Sequence, residues 1–157
     1  MNKVYLLDTD ILSLANPAAG FSEPQAQAWR EWVRRNEAVL YFSTVTIMGV
    51  RFGIERARAK GASQKAARLG RWLVALETAH RDRIIPITNE IAHQAGAMLA
   101  RAVATGAAPG SEDAFIAASA EVMGFTVLSR NTRHMRALTD RWLNPLEGLP
   151  PDSPPHS

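Results

Sequence analysis

Asp8 and Asp10 stand two residues apart, directly after the apolar run Val4-Tyr5-Leu6-Leu7. A short apolar run of this kind reads as a buried strand. Asp113 follows Glu112 in what reads as the first turn of a helix, and Ser129, Arg130 and Asn131 follow a second apolar run, Phe125 to Leu128. Ser43, Thr44 and Thr46 follow a third, Val39 to Phe42. In an open α/β sheet, ligands bind outside the carboxyl ends of the strands, so all these side chains belong to one edge. The chain has six Asp, and three of them fall there. Carboxylates gathered in this way repel one another unless a divalent cation neutralises them, and hard oxygen donors suit Mg²⁺ or Mn²⁺. Such an ion activates water and offsets charge building on a phosphate, so phosphodiester cleavage is the economical chemistry. The plainer reading is local: Asp10 caps a helix, and Asp113 gains from a helix dipole.

The elements that must position these residues alternate. Asp10 is placed to cap a short helix from Ile11 to Ala15, which Asn16-Pro17 stops. Ser22-Glu23-Pro24-Gln25 has the form of a capping box with Pro in the first turn, opening a helix to about Arg35 with Ala26, Trp29 and Val33 on one face. After the second strand comes a helix from about Val45 to Lys60, ended by Gly61, and then a helix capped by Ser63. Arg83 to Ile87 is the third strand, Thr88 caps a helix from Asn89 to about Thr105, and Ser111 caps the helix that carries Asp113 and ends at Gly124. A short helix over Thr132 to Leu138 and a fifth strand over Arg141 to Leu143 close the pattern. Strands of four or five residues alternating with helices predict an α/β fold, a parallel sheet with helices on both faces.

Composition bounds the function. A chain of 157 residues that is 46% hydrophobic suits one domain with a real core. Residues 1–148 read as that domain, and the Pro- and Ser-rich stretch 149–157 as an unstructured tail. There is no Cys, which excludes disulfides, thiolate zinc sites and Cys nucleophiles. No run reaches the roughly 18 apolar residues that a membrane helix needs, and the first residues lack the pattern of a signal peptide, so a cytoplasmic protein is expected. The net charge of +3 rests on fifteen Arg and only three Lys, and guanidinium suits phosphate. Arg51, Arg56, Arg58, Lys60, Lys65, Arg68 and Arg71 form a cationic region over two helices, open to RNA phosphates, to an acidic partner or simply to solvent. Trp29, Trp32 and Trp72 are at helical spacing and are expected in core or interface. His80, His93 and His134 share no ligand spacing.

Four segments, in order, resemble the PIN-domain ribonucleases of the VapC toxin group. They are Leu6-Leu7-Asp8-Thr9-Asp10-Ile11-Leu12-Ser13, Thr44-Val45-Thr46-Ile47 through Arg51-Phe52-Gly53-Ile54, Glu112-Asp113-Ala114-Phe115-Ile116-Ala117-Ala118-Ser119-Ala120, and Thr126-Val127-Leu128-Ser129-Arg130-Asn131. Leu143-Asn144-Pro145 also fits, so the likeness spans Val4 to Pro145. The resemblance implies a three-layer α/β/α PIN fold with a central parallel sheet of four to five short strands. It also implies Mg²⁺- or Mn²⁺-dependent RNA cleavage, a homodimer or a toxin–antitoxin hetero-oligomer, and neutralisation by a small VapB-like antitoxin. The family's first metal-binding acid falls on Asp8 and its third on Asp113. Asn131 falls where members carry Asp or Asn, Ser129 matches a usual Ser or Thr, and Asp10 replaces a usual Asn. Thr9, Glu112 and Arg130 stand beside these positions as secondary or substrate-facing candidates.

Two positions depart. His134 falls where many members have an acid, and the family's second acid, a Glu, falls on Gly49. Gly49 and Gly53 are four apart and would let another backbone approach, which is the packing explanation for a glycine there. Glu55 lies six residues on, about 240° around the helix, and points elsewhere; Glu112 is the better substitute acid. The expectation is a weakened metal-dependent endoribonuclease, with a non-catalytic PIN-fold binding protein as the alternative. Asp8-Thr9-Asp10 after a strand also suits the haloacid-dehalogenase-type phosphatases, but their fifth motif position is Thr or Val and here is Leu12. The absence of Gly-x-Gly-x-x-Gly after the first strand excludes a Rossmann dinucleotide site.

Overall fold

The computed structural model describes residues 3–12 and 22–154. The strands are β1 Tyr5–Leu7, β2 Leu40–Ser43, β3 Ile84–Ile85, β4 Thr126–Leu128 and β5 Trp142–Leu143. The helices are α1 Thr9–Leu12, α2 Glu23–Asn36, α3 Thr44–Ala59, α4 Ser63–Ala79, α5 Asn89–Ala104, α6 Ser111–Met123 and α7 Thr132–Leu138. All strand pairs are parallel, in the order β3-β2-β1-β4-β5. The order reverses at β1: β2 and β3 extend the sheet to one side, and β4 and β5 to the other. That reversal opens a crevice between the carboxyl ends of β1 and β4.

Alternate residues of the central strands feed two cores. Tyr5, Leu7, Leu40, Phe42 and Leu128 pack with Trp29 and Trp32 of α2, with Trp72 and Leu76 of α4 against them. Leu6 and Val127 turn the other way, onto α5, α6 and α7 through Ile91, Met98, Ile116, Met135 and Leu138. Both faces are covered, which is why the strands read as unbroken apolar runs. Ala114, Ala117, Ala118 and Ala120 make α6 slim where it lies in this core. Trp29 and Trp32 are buried and stacked, with ring centroids 5.3 Å apart, as core residues.

Local signals place most element ends. Ser22 and Gln25 form the capping box, and Thr88 accepts from the Ile91 amide. Gly61 and Gly124 adopt positive φ where their helices stop. Three expected caps differ. The first helix starts at Thr9, so Asp8, not Asp10, holds the cap position; its carbonyl accepts from Ile11 and its carboxylate from the Thr9 amide. Gly110 precedes α6 and its amide donates to Asp113 Oδ2 at 3.3 Å, so the acid inside the turn does the work expected of Ser111. Ser63 is the first residue of α4, after Ala62, and supplies no side-chain cap. The expected stop at Asn16-Pro17 lies outside the described residues.

The stretch expected to be an unstructured tail is docked over its described part. Pro150 O accepts from Trp32 Nε1 at 2.8 Å and Pro151 O from Tyr5 Oη at 2.7 Å. Asn36 donates to Asp152 at 2.7 Å and accepts from the Ser153 amide at 2.9 Å. Low apolar content suggested nothing to bury, but the backbone carbonyls of the prolines satisfy aromatic N–H and O–H groups that the core itself leaves over. Among the described residues, no helix is long and apolar enough to cross a membrane.

Candidate metal centre

The crevice between β1 and β4 holds a buried carboxylate. Asp8 is 7% exposed, its Oδ2 accepts from Ser129 Oγ at 2.8 Å, and its Oδ1 accepts from the Thr9 amide at 2.8 Å. The Ser129 hydroxyl in turn accepts from the Asn131 amide at 3.0 Å. Burial pushes the Asp8 carboxyl above its ordinary range; the bonds from Ser129 and Thr9 oppose that, and the charges of Asp113 and Glu112 add to it. Asp10 is pushed up to about 7 by burial first and by the Asp8 charge second. Arg130 opposes the shift from its backbone and from a guanidinium Nε 3.8 Å from Asp10 Oδ2.

Asp113 reaches the same edge from the first turn of α6. Its Oδ2 lies 2.9 Å from His134 Nδ1 and its Oδ1 accepts from Asn131 Nδ2 at 3.4 Å. Asn131 Nδ2 is also 3.0 Å from His134 Nδ1. With its Nδ1 proton given to the carboxylate, the imidazole has no lone pair there to accept from the Asn131 amide, so Asp113 is the shared acceptor of both neighbours. On the other side of the crevice, Thr9 Oγ1 donates to the fully buried Thr46 Oγ1 at 3.3 Å, which ties the turn after β1 to α3. A Cβ placed on Gly49 would lie 3.4 Å from Thr9 Cγ2, 3.6 Å from Thr9 Oγ1 and 4.0 Å from Glu112 Oε2. Position 49 therefore faces this acidic edge.

Residues 5–139 match the family model of the PIN domain. The chain belongs to the PIN domain family. Such domains are in general metal-dependent nucleases. The fold is similar to that in "Crystal Structure of FitAcB from Neisseria gonorrhoeae", with a TM-score of 0.73 and 24% identity over 90% of this chain and 98% of that one. It is similar to DNA-bound VapBC from Salmonella typhimurium, with a TM-score of 0.66 and 22% identity over 90% and 98% of the two chains. A toxin–antitoxin complex from Klebsiella pneumoniae gives 0.56 and 22% over 90% and 97%. No curated protein matches the chain.

In this PIN domain Asp8, Asp113, Ser129 and Asn131 come to one edge, with Thr9, Asp10, Glu112 and Arg130 around them. Oxygen donors of this kind suit a hard divalent cation. The number of acids is the departure: among the described residues, no group of three His, Cys, Asp or Glu side chains gathers to hold a metal ion. Position 49, on α3, faces this edge with no side chain. The packing explanation for its glycine does not hold, since the atoms near its Cβ direction belong to side chains at ordinary contact distance and Gly53 has nothing within 4 Å. Glu55 is exposed and engaged with Arg51 and Arg58, away from the edge. Sequence reading missed the bond between His134 and Asp113, because the pair is separated by 21 residues and shares no ligand spacing. It placed Thr46 at this edge but not its bond to Thr9, which is separated from it by 37 residues.

Proposed function

We propose that this PIN domain is the toxin component of a type II toxin–antitoxin pair, a Mg²⁺- or Mn²⁺-dependent endoribonuclease whose activity is lowered because Gly49 stands at the second acidic position. The observation that carries the reading is Asp8, buried at the sheet's switch point, fixed by Ser129 and Thr9, and electrostatically coupled to Asp113. A bound cation stabilises as an anion a buried acid whose neighbours are also acids. Asp8 and Asp113 would hold the ion, and Asn131 would orient Asp113. When bound, Mg²⁺ or Mn²⁺ supplies activation of water and neutralisation of charge on the phosphodiester. Arg130, beside Asp10, would offer a guanidinium to the RNA phosphate, and α3 and α4 carry further exposed cations.

The structural neighbours, which include VapBC and a toxin–antitoxin complex, support a partner of that kind. We take the partner to be a small VapB-like antitoxin acting in the cytoplasm on a homodimer or in a hetero-oligomer. A second reading, a non-catalytic binding protein, draws on Gly49 and on the missing third acid. RNA cleavage by the native chain and by Gly49→Glu, each with Mn²⁺ and with EDTA, separates them. The nuclease reading expects slow Mn²⁺-dependent cleavage by the native chain and faster cleavage by Gly49→Glu. Absence of cleavage by both would favour the binding protein.

A further inference from the structure

We propose that Glu112 supplies the carboxylate that Gly49 lacks, so that the third acid of the site enters from α6 rather than from α3; this rests on reading the chain as a metal-dependent nuclease. Adjacency to Asp113 alone would not bring Glu112 in, since neighbours in a helix diverge by about 100°. The direction of position 49 does. The atoms closest to a Cβ on Gly49 are those of Thr9, and the next is Glu112 Oε2 at 4.0 Å. An acid projecting from α3 would thus enter the space that the Glu112 carboxylate already borders. The absence of a side chain at 49 leaves that space to Glu112.

The state of Glu112 agrees. Asp8 accepts from Ser129 and Thr9, Asp10 pairs with Arg130, and Asp113 is engaged by His134, Asn131 and Gly110. Glu112, in contrast, accepts no hydrogen bond and forms no ion pair among the described residues, although its charge is felt at Asp8. It sits in the first turn of α6, a helix of 13 residues. Its side chain is exposed and has the torsional freedom to swing toward Asp8. A Glu at 49 and the Glu at 112 compete for one place, so their effects on cation binding are coupled, not additive.

Mn²⁺ binding, followed by electron paramagnetic resonance of the free ion, tests this without reference to cleavage. The chains compared are native, Asp8→Asn, Glu112→Gln, Glu112→Asp, and Gly49→Glu combined with Glu112→Gln, each first shown to be folded by circular dichroism. Asp8→Asn is expected to abolish binding, and Glu112→Gln to weaken it by about tenfold or more. Glu112→Asp should fall between Glu112→Gln and native, and Gly49→Glu should restore binding in the Glu112→Gln background. If Glu112→Gln binds as the native chain does while Asp8→Asn does not, the role of Glu112 is overturned and the nuclease reading stands. If the native chain binds no Mn²⁺, or binds it equally well without Asp8, the nuclease reading falls and this proposal with it.

Discussion

Ser129 is the residue on which the buried acid depends. Its hydroxyl donates to Asp8 Oδ2 at 2.8 Å and accepts from the Asn131 amide at 3.0 Å, so one oxygen links the acid of β1 to the loop after β4. Ser129→Ala removes both links and leaves Asp8 with the Thr9 amide alone. A hydrogen bond to a charged buried group contributes about 1.5–3 kcal/mol, and loss of an orienting partner weakens metal affinity by about 10–100-fold. Ser129→Ala is therefore expected to lose stability of that order in urea unfolding and to bind Mn²⁺ more weakly. Unchanged Mn²⁺ affinity would mean that Asp8 is not a ligand. The acids themselves were legible in the sequence because each ends a strand or opens a helix, and both are local patterns. The bond from His134 to Asp113 was not, because it joins α7 to α6 through tertiary packing.

At the scale of elements, α3 carries Gly49, which faces the acidic edge and has no packing duty. A Cβ on Gly49 would meet only Thr9 and Glu112 side-chain atoms at 3.4 Å or more. Gly49→Ala should therefore gain helix propensity, about 0.5–1 kcal/mol, seen as a higher urea midpoint with no added acid. A loss instead would show that Thr9 cannot yield the space. The strand β2 and helix α4 meet at His80, whose ring lies 4.9 Å from that of Phe42, with Arg83 Nη2 2.8 Å from its Nδ1 and Glu37 at 3.9 Å. Burial first, then Arg83, holds this imidazole below its ordinary value of 6.5, against the pull of Glu37 and Asp82. The unfolded chain then binds the proton more readily than the folded one, so the contribution of His80 is full above about pH 6.5 and is lost as pH falls below it. The native chain should lose more stability between pH 7 and pH 5 than His80→Gln does, as read by chemical unfolding at both values. Equal losses would place the acid sensitivity elsewhere. Helix limits were legible here because Gly61, Thr88 and Gly124 act through their own backbone; strand lengths were not, since only pairing sets them, and β3 keeps two of its five expected residues.

At the scale of the whole molecule, the docked carboxyl-terminal stretch belongs to the fold. Its anchors are Tyr5 at the start of β1, Trp32 and Asn36 near the end of α2, and the Lys3 carbonyl, which accepts from Ser153 Oγ. Composition could not reveal this, because what the stretch offers is carbonyl oxygen and not apolar surface. A chain ended at Gly148 loses the partners of Trp32 Nε1, Tyr5 Oη and Asn36. Each bond contributes about 0.5–1.5 kcal/mol net, and the ordering of the segment opposes them, less so for the prolines, whose unfolded freedom is already small. The expected loss on truncation is about 1–3 kcal/mol in urea unfolding. Trp32→Phe removes the indole donor but keeps an aromatic ring against Trp29, so truncation should do less harm in that background than in the native one. The anchors lie at the amino end of β1, opposite the edge that carries Asp8, so Mn²⁺ affinity should not follow the loss. A truncation without effect on stability would mean that the stretch from Leu149 is free in solution, while one that also lowered Mn²⁺ affinity would show that the order of β1 extends from its start to Asp8.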